Sequence, residues 1–144
     1  MNSTCDPPRI STGIEGLDEI LHGGLITGRT YLVSGGPGSG KTLTCLHFLE
    51  RAAREGKRCL MVSLEESEVR IRQHAAAVKM TLDGVQILDL SPASEFFQQR
   101  LSYDLFHPAE VEGDAVAKQI VESILHSEAD CVVIDSLTQL RYLS

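Results

Sequence analysis

The sequence is short of several things, and each shortage narrows what the chain can be. No apolar run reaches the roughly 18 residues that a membrane-spanning helix needs. The opening MNSTCDPPRI lacks the basic-then-apolar pattern of a signal peptide. A cytoplasmic protein with no membrane partner is the expectation. Cysteine is sparse and scattered: Cys5, Cys45, Cys59 and Cys131 form no C-x-x-C pair. Three of them lie in apolar segments, where a reduced thiol serves as a small hydrophobe, so neither a disulfide nor a metal site is expected. His22, His47, His74, His107 and His126 show no ligand spacing either. Positive charge is also in deficit, with 13 Lys and Arg against 20 Asp and Glu for a net charge of -7. That disfavours a protein coated for nucleic acid, which would carry a basic face, and leaves only a local basic channel open.

What is present suits one globular domain. The 144 residues are 42% hydrophobic, enough for a real core. A polar leader over residues 1–9 is expected to be mobile, with residues 10–144 forming the domain. Within Ile10–Leu21, the apolar residues Ile14, Leu17, Ile20 and Leu21 fall near helical spacing. Thr30–Ser34 reads as a buried strand. Leu43, Leu46, Leu49 and Ala53 mark one face of a helix that Gly56 ends, with Arg51 and Arg54 in its last turns. Cys59–Leu64 is a second apolar strand, and Val69, Arg72, Ala76 and Met80 trace a second helix closed by Asp83 and Gly84. Val85–Leu90 is a weaker strand. Residues 91–112 are irregular by pattern, although Phe96, Phe97, Tyr103 and Phe106 need cover. Pro108 suits the first position of a helix running to about Ser127, with Val116, Ile120, Ile124 and Leu125 inward. Cys131–Asp135 is the fourth strand. Solid apolar strands alternating with helices predict an α/β fold, a mostly parallel sheet with helices on both faces.

The densest cluster of glycine marks the chemistry. Gly35, Gly36, Pro37, Gly38, Ser39, Gly40, Lys41 and Thr42 fit G-x-x-x-x-G-K-S/T in full, between an apolar run and a helix. Glycines let successive N–H groups curl around a phosphate, and the helix N-terminus adds positive potential. Lys41 at that offset reaches the outer phosphates and the Thr42 hydroxyl ligates Mg²⁺. A plain turn needs neither. Asp135, closing an apolar strand, has the form of a Walker B carboxylate that holds Mg²⁺ through water; the bland alternative is a helix-capping Asp. Glu65 and Glu66 follow directly on the Cys59–Leu64 strand. A carboxylate at that sheet edge can orient and deprotonate an attacking water, whereas the bland reading is an acidic helix N-terminus.

Ser11–Gly28, leading straight into the glycine cluster, resembles the opening of KaiC-type ATPases of the RecA superfamily. Val62–Ser67, Leu105–Glu112 and Val132–Thr138 are similar to KaiC-like sequences too, so the resemblance runs from about Ile10 onward. It implies a RecA-like P-loop NTPase core, ATP and Mg²⁺ as ligands, and Glu65 and Glu66 as catalytic residues, with Glu65 the water-activating base. It also implies ATP sites at the subunit interfaces of a homo-oligomeric ring, commonly a hexamer. The family domain continues well past the equivalent of Asp135, and its next strand enters between the phosphate-loop strand and the Asp135 strand. The expectation is therefore a domain incomplete at its C-terminus, marginally stable and weak in turnover. Two alternatives stay open: a nucleotide- or partner-binding fragment without turnover, and a RecA-type DNA recombination ATPase, whose DNA-contacting loops would lie beyond Asp135.

Overall fold

The computed structural model describes residues 6–96, 98–99 and 110–140. Two short strands, β1 (Arg9–Ile10) and β2 (Leu25–Ile26), pair antiparallel around helix α1 (Glu15–Ile20). Helix α2 (Lys41–Arg54) is followed by strand β3 (Cys59–Ser63), helix α3 (Glu68–Ala77) and strand β4 (Val85–Asp89). Helix α4 (Glu110–Ser127), strand β5 (Cys131–Asp135) and a single turn, α5 (Leu137–Leu140), complete the order.

β3, β4 and β5 form a parallel sheet in the order β4-β3-β5, with Cys59 level with Val85 and Cys131, and Ser63 level with Asp89 and Asp135. This register sets all three carboxyl ends at one edge. All five residues of β3 are buried, because a central strand in a parallel sheet is covered on both faces. Alternation along the strands divides the core in two. Cys59, Met61, Val85, Cys131 and Val133 face Leu46, Leu49 and Ala52 of α2 and Ile71 and Ala75 of α3. Leu60 and Val62 face Val116 and Ile120 of α4, with Val132, Ile134 and Phe96 packed beside them. The fold is α/β with helices on both faces of a parallel sheet. Burial pushes the Cys59 thiol up to about 12, with the neighbouring Cys131 adding to it. That accords with a thiol that packs as a hydrophobe.

Several expectations need correction. Thr30–Ser34 joins neither sheet; Leu32 is 76% exposed, and Tyr31 and Val33 are exposed as well. High strand propensity supplies no ladder, and among the described residues no strand runs beside this segment. Helix α1 covers only half of the span that its apolar spacing suggested, and Ile20 is exposed. The inward face of α3 is Ile71 and Ala75; Val69 is exposed and Met80 is buried beyond the helix end. On α4, Leu125 is exposed although Val116 and Ile120 are buried. Ala52 rather than Leu43 completes the buried face of α2, where Gly56 follows the end with φ +79° and Lys57 N–H donates to Ala52 O at 3.0 Å. Phe97, Tyr103, Phe106 and Pro108 lie outside the described residues. At the other end of the chain Pro8 O accepts from Thr27 N at 2.9 Å, and Arg9 donates to Leu21 O and Gly24 O, so the last residues of the expected leader belong to the hairpin.

Candidate functional site

The site assembles at the carboxyl edge of the sheet, where open α/β folds place ligands. Two hydrogen bonds carry the ladder past the strand ends: Leu64 N–H donates to Asp135 O and Leu90 N–H to Ser63 O, each at 2.8 Å. They fix the exit of β3 against both neighbours. Ser63, 2% exposed, then locks the turn that follows, its hydroxyl donating to Glu66 O at 2.6 Å and accepting from Glu66 N–H at 3.3 Å. Asp89, at the end of β4, accepts from Glu68 N–H at 3.0 Å and so caps α3 from a neighbouring strand. The α3 N-cap residue, Ser67, makes no side-chain cap of its own.

Glu65 and Glu66 diverge from this turn. Glu65 is exposed and accepts from Gln139 Nε2 of α5 at 3.0 Å. Glu66 turns toward α2 and lines a cleft of about 410 Å³ with Gly38, Gly40, Thr42 and His74. Its Oε2 is shut off from solvent and stands 3.1 Å from His74 Nδ1 without the geometry of a hydrogen bond.

The glycine cluster forms the loop that enters α2. Gly38 and Gly40 have φ of +75° and +87°, a backbone region that costs other residues strain, and Gly40 is the N-cap of α2. A Cβ at Gly35 would clash with Ser39 Oγ, whereas one at Gly36, Gly38 or Gly40 would meet nothing within 4 Å. The loop is therefore tight at one end and open along the rest. Lys41 arches back over it, its ammonium donating to the carbonyls of Gly35 and Gly36 at 2.9 Å each. Thr42 Oγ1 donates to Asp135 Oδ2 at 2.6 Å, joining the first turn of α2 to the end of β5 across 93 residues of sequence. A hydroxyl beside a carboxylate is a hard oxygen pair of the kind Mg²⁺ takes, and the open glycine backbone fits a polyphosphate. The residues present fit both groups.

Beside the later turns of α2, Asp18 organises the lead-in. Its Oδ1 accepts from Thr12 N–H at 2.8 Å and Thr12 Oγ1 at 2.6 Å, while Oδ2 accepts from Ser11 Oγ. Burial pushes this carboxyl up, but the bonds from Ser11 and Thr12 outweigh it and hold the group below its usual range.

The structure thus brings together Lys41, Thr42, Asp135 and Glu66, and sets Glu65 at the same edge under Gln139. Sequence reasoning missed Ser63, His74, Gln139 and Asp89. Only Asp89, a carboxylate closing a strand just as Asp135 does, carried a signal that could have singled it out.

The family model described as "ATPase: KaiC" matches residues 10–144. The circadian clock oscillator protein KaiC of Prochlorococcus marinus is 35% identical over 137 residues, covering 90% of this chain and 26% of that protein. A UPF0273 protein of Pyrococcus furiosus is 35% identical over 143 residues, covering 92% of this chain and 56% of its own length. The DNA repair protein RadA of Mycolicibacterium smegmatis is 36% identical over 130 residues, covering 90% and 26%. The chain spans between about a quarter and just over half of the length of these relatives. With the model matching from Ile10 to Ser144, the chain belongs to the KaiC ATPase family of RecA-like proteins.

Proposed function

We propose that this domain binds ATP with Mg²⁺ and hydrolyses it. The observation that carries the reading is the 2.6 Å contact between Thr42 and Asp135, because a helix cap or a plain turn gives no reason for those two side chains to meet. In this reading the N–H groups of residues 35–42 wrap the phosphates, and Lys41 exchanges its loop carbonyls for phosphate oxygens. Thr42 and Asp135 hold Mg²⁺, which would neutralise charge on the transferring phosphoryl group. Glu65 is the base that takes a proton from the attacking water, and Glu66 is the second carboxylate of the pair. Gln139, on Glu65 Oε1, orients the base while leaving Oε2 free for a water. The family extends the proposal to a homo-oligomeric ring with nucleotide at subunit interfaces. Free thiols at Cys45, Cys59 and Cys131 accord with a cytoplasmic setting.

The clock role named for the KaiC relatives is theirs, and nothing in this site calls for it. A second reading has one observation in its favour, the similarity to a protein named for DNA repair. The acidic balance of the chain weighs against it, and salt-dependent binding of single-stranded DNA separates the two. The test of the main reading is Lys41→Ala, which removes a charge-assisted contact worth roughly 1.5–3 kcal/mol of nucleotide affinity. Unchanged ATP affinity by calorimetry would end the phosphate-loop assignment.

A further inference from the structure

Glu66 Oε2 is a carboxylate oxygen without solvent and without a hydrogen bond. Such an atom is costly unless a donor sits beside it. The group beside it is the imidazole of His74, in the last turn of α3, with Nδ1 at 3.1 Å. Both side chains line the cleft that takes in Gly38, Gly40 and Thr42, so the pair stands against the phosphate loop. The backbone of Glu66 is thus held by the Ser63 hydroxyl, while its carboxylate lies against His74. Glu65 leaves the same turn toward a different holder, Gln139.

We propose that His74 is a positioning residue for the glutamate pair: its imidazole, with Nδ1 3.1 Å from Glu66 Oε2, turns to donate Nδ1–H to that oxygen and keeps the carboxylate at the phosphate loop, apart from Glu65. The inference rests on the hydrolysis reading above. Its physical content is charge separation. Two carboxylates on consecutive residues repel one another, and the pair can serve one water only if each is held in its own place. With His74 donating to Glu66 and Gln139 donating to Glu65, neither carboxylate can swing into the other's position. Loss of His74 frees Glu66 to leave the cleft for solvent, so the chemical step slows while the loop that binds nucleotide is untouched.

The test is steady-state ATP turnover of the full-length protein, its His74→Ala variant and its His74→Asn variant, with ATP affinity and a melting curve for each. Asparagine places an amide N–H where Nδ1 stands and keeps the donor. His74→Ala should lower kcat by about tenfold, the loss of one hydrogen bond to a charged group, with KM and ATP affinity unchanged. His74→Asn should restore kcat to within about twofold of the parent. His74 is half-exposed, so both variants should fold, and the melting curves verify it; His74→Ser replaces the alanine variant if that one does not. An unchanged kcat in His74→Ala, or a loss that His74→Asn fails to recover at equal folding, overturns the assignment of His74 alone. A parent that binds ATP yet shows no turnover overturns the hydrolysis reading and this inference with it.

Discussion

Two apolar runs of similar composition end at the same site and meet opposite fates. Cys59–Ser63 is a central strand, paired on both sides and buried at every residue. Thr30–Ser34, the run that feeds the glycine loop, pairs with no described strand, and Leu32 stands 76% exposed. Its firm anchor is the Tyr31 hydroxyl, which accepts from Ile26 N–H of β2 at 2.9 Å. The difference teaches that apolar, β-branched sequence states a demand for cover, and only neighbouring backbone meets it. It also separates the roles of the two ends. The carboxylates follow a strand locked by its ladder. The phosphate loop takes its shape from α2 and from the Lys41 ammonium on its own carbonyls.

The sharpest way to break this contrast is to truncate each run. Met61→Ala empties a fully buried position and should cost roughly 2–5 kcal/mol of unfolding free energy. Leu32→Ala in the same 144-residue chain should stay within about 0.5 kcal/mol. Denaturant melts of the two variants decide it. Equal losses would mean that residues 30–34 are covered in solution, and the contrast between the runs would disappear. At the site, Glu65→Gln in the full-length protein should slow ATP turnover by about 10²-fold with nucleotide still bound, the effect of a lost general base. Single-turnover kinetics beside equilibrium binding separate this from Lys41→Ala, whose damage falls on binding. If Glu66→Gln proves the slower enzyme, the roles within the pair are reversed.

Much of this architecture could be read from residues close together in sequence. The continuous apolar run at Cys59–Leu64, the spacing of Leu46 and Leu49 and the stop at Gly56 are local, so β3 and α2 stand out. The full glycine-loop motif stated its own chemistry. What could not be read was partner choice. Nothing near Glu66 names His74, because the pairing depends on the phase of α3, and the mixed spacing of Val69, Arg72, Ala76 and Met80 does not define the buried face that Ile71 and Ala75 form. The β1–β2 pair is two residues long on each side, too short for any period to show. Capping of α3 by Asp89 runs between residues 21 apart in sequence, through a register that only the folded sheet defines.

The smallest expected effect lies at the amino end of the sheet, where β3 and β5 share a clamp that residues 30–34 have no counterpart for among the described contacts. Arg58 N–H donates to Asp130 Oδ2 at 2.9 Å and Asp130 N–H donates to Arg58 O at 2.8 Å, while the guanidinium grips Asp130 Oδ1 and Glu128. The Arg58 bonds, side chain first and backbone next, hold the Asp130 carboxyl down to about 2 from its ordinary 3.8. A depressed carboxyl stabilises the fold above its unfolded value, and that contribution is lost as pH falls through the folded one. Wild type and Arg58→Met should therefore differ in melting temperature at pH 6, and the gap should shrink between about pH 4 and pH 2. Because both partners are exposed, the gap should also narrow in 1 M salt. A gap that persists unchanged at pH 2 would assign the effect to the packing of the arginine stem rather than to its charge.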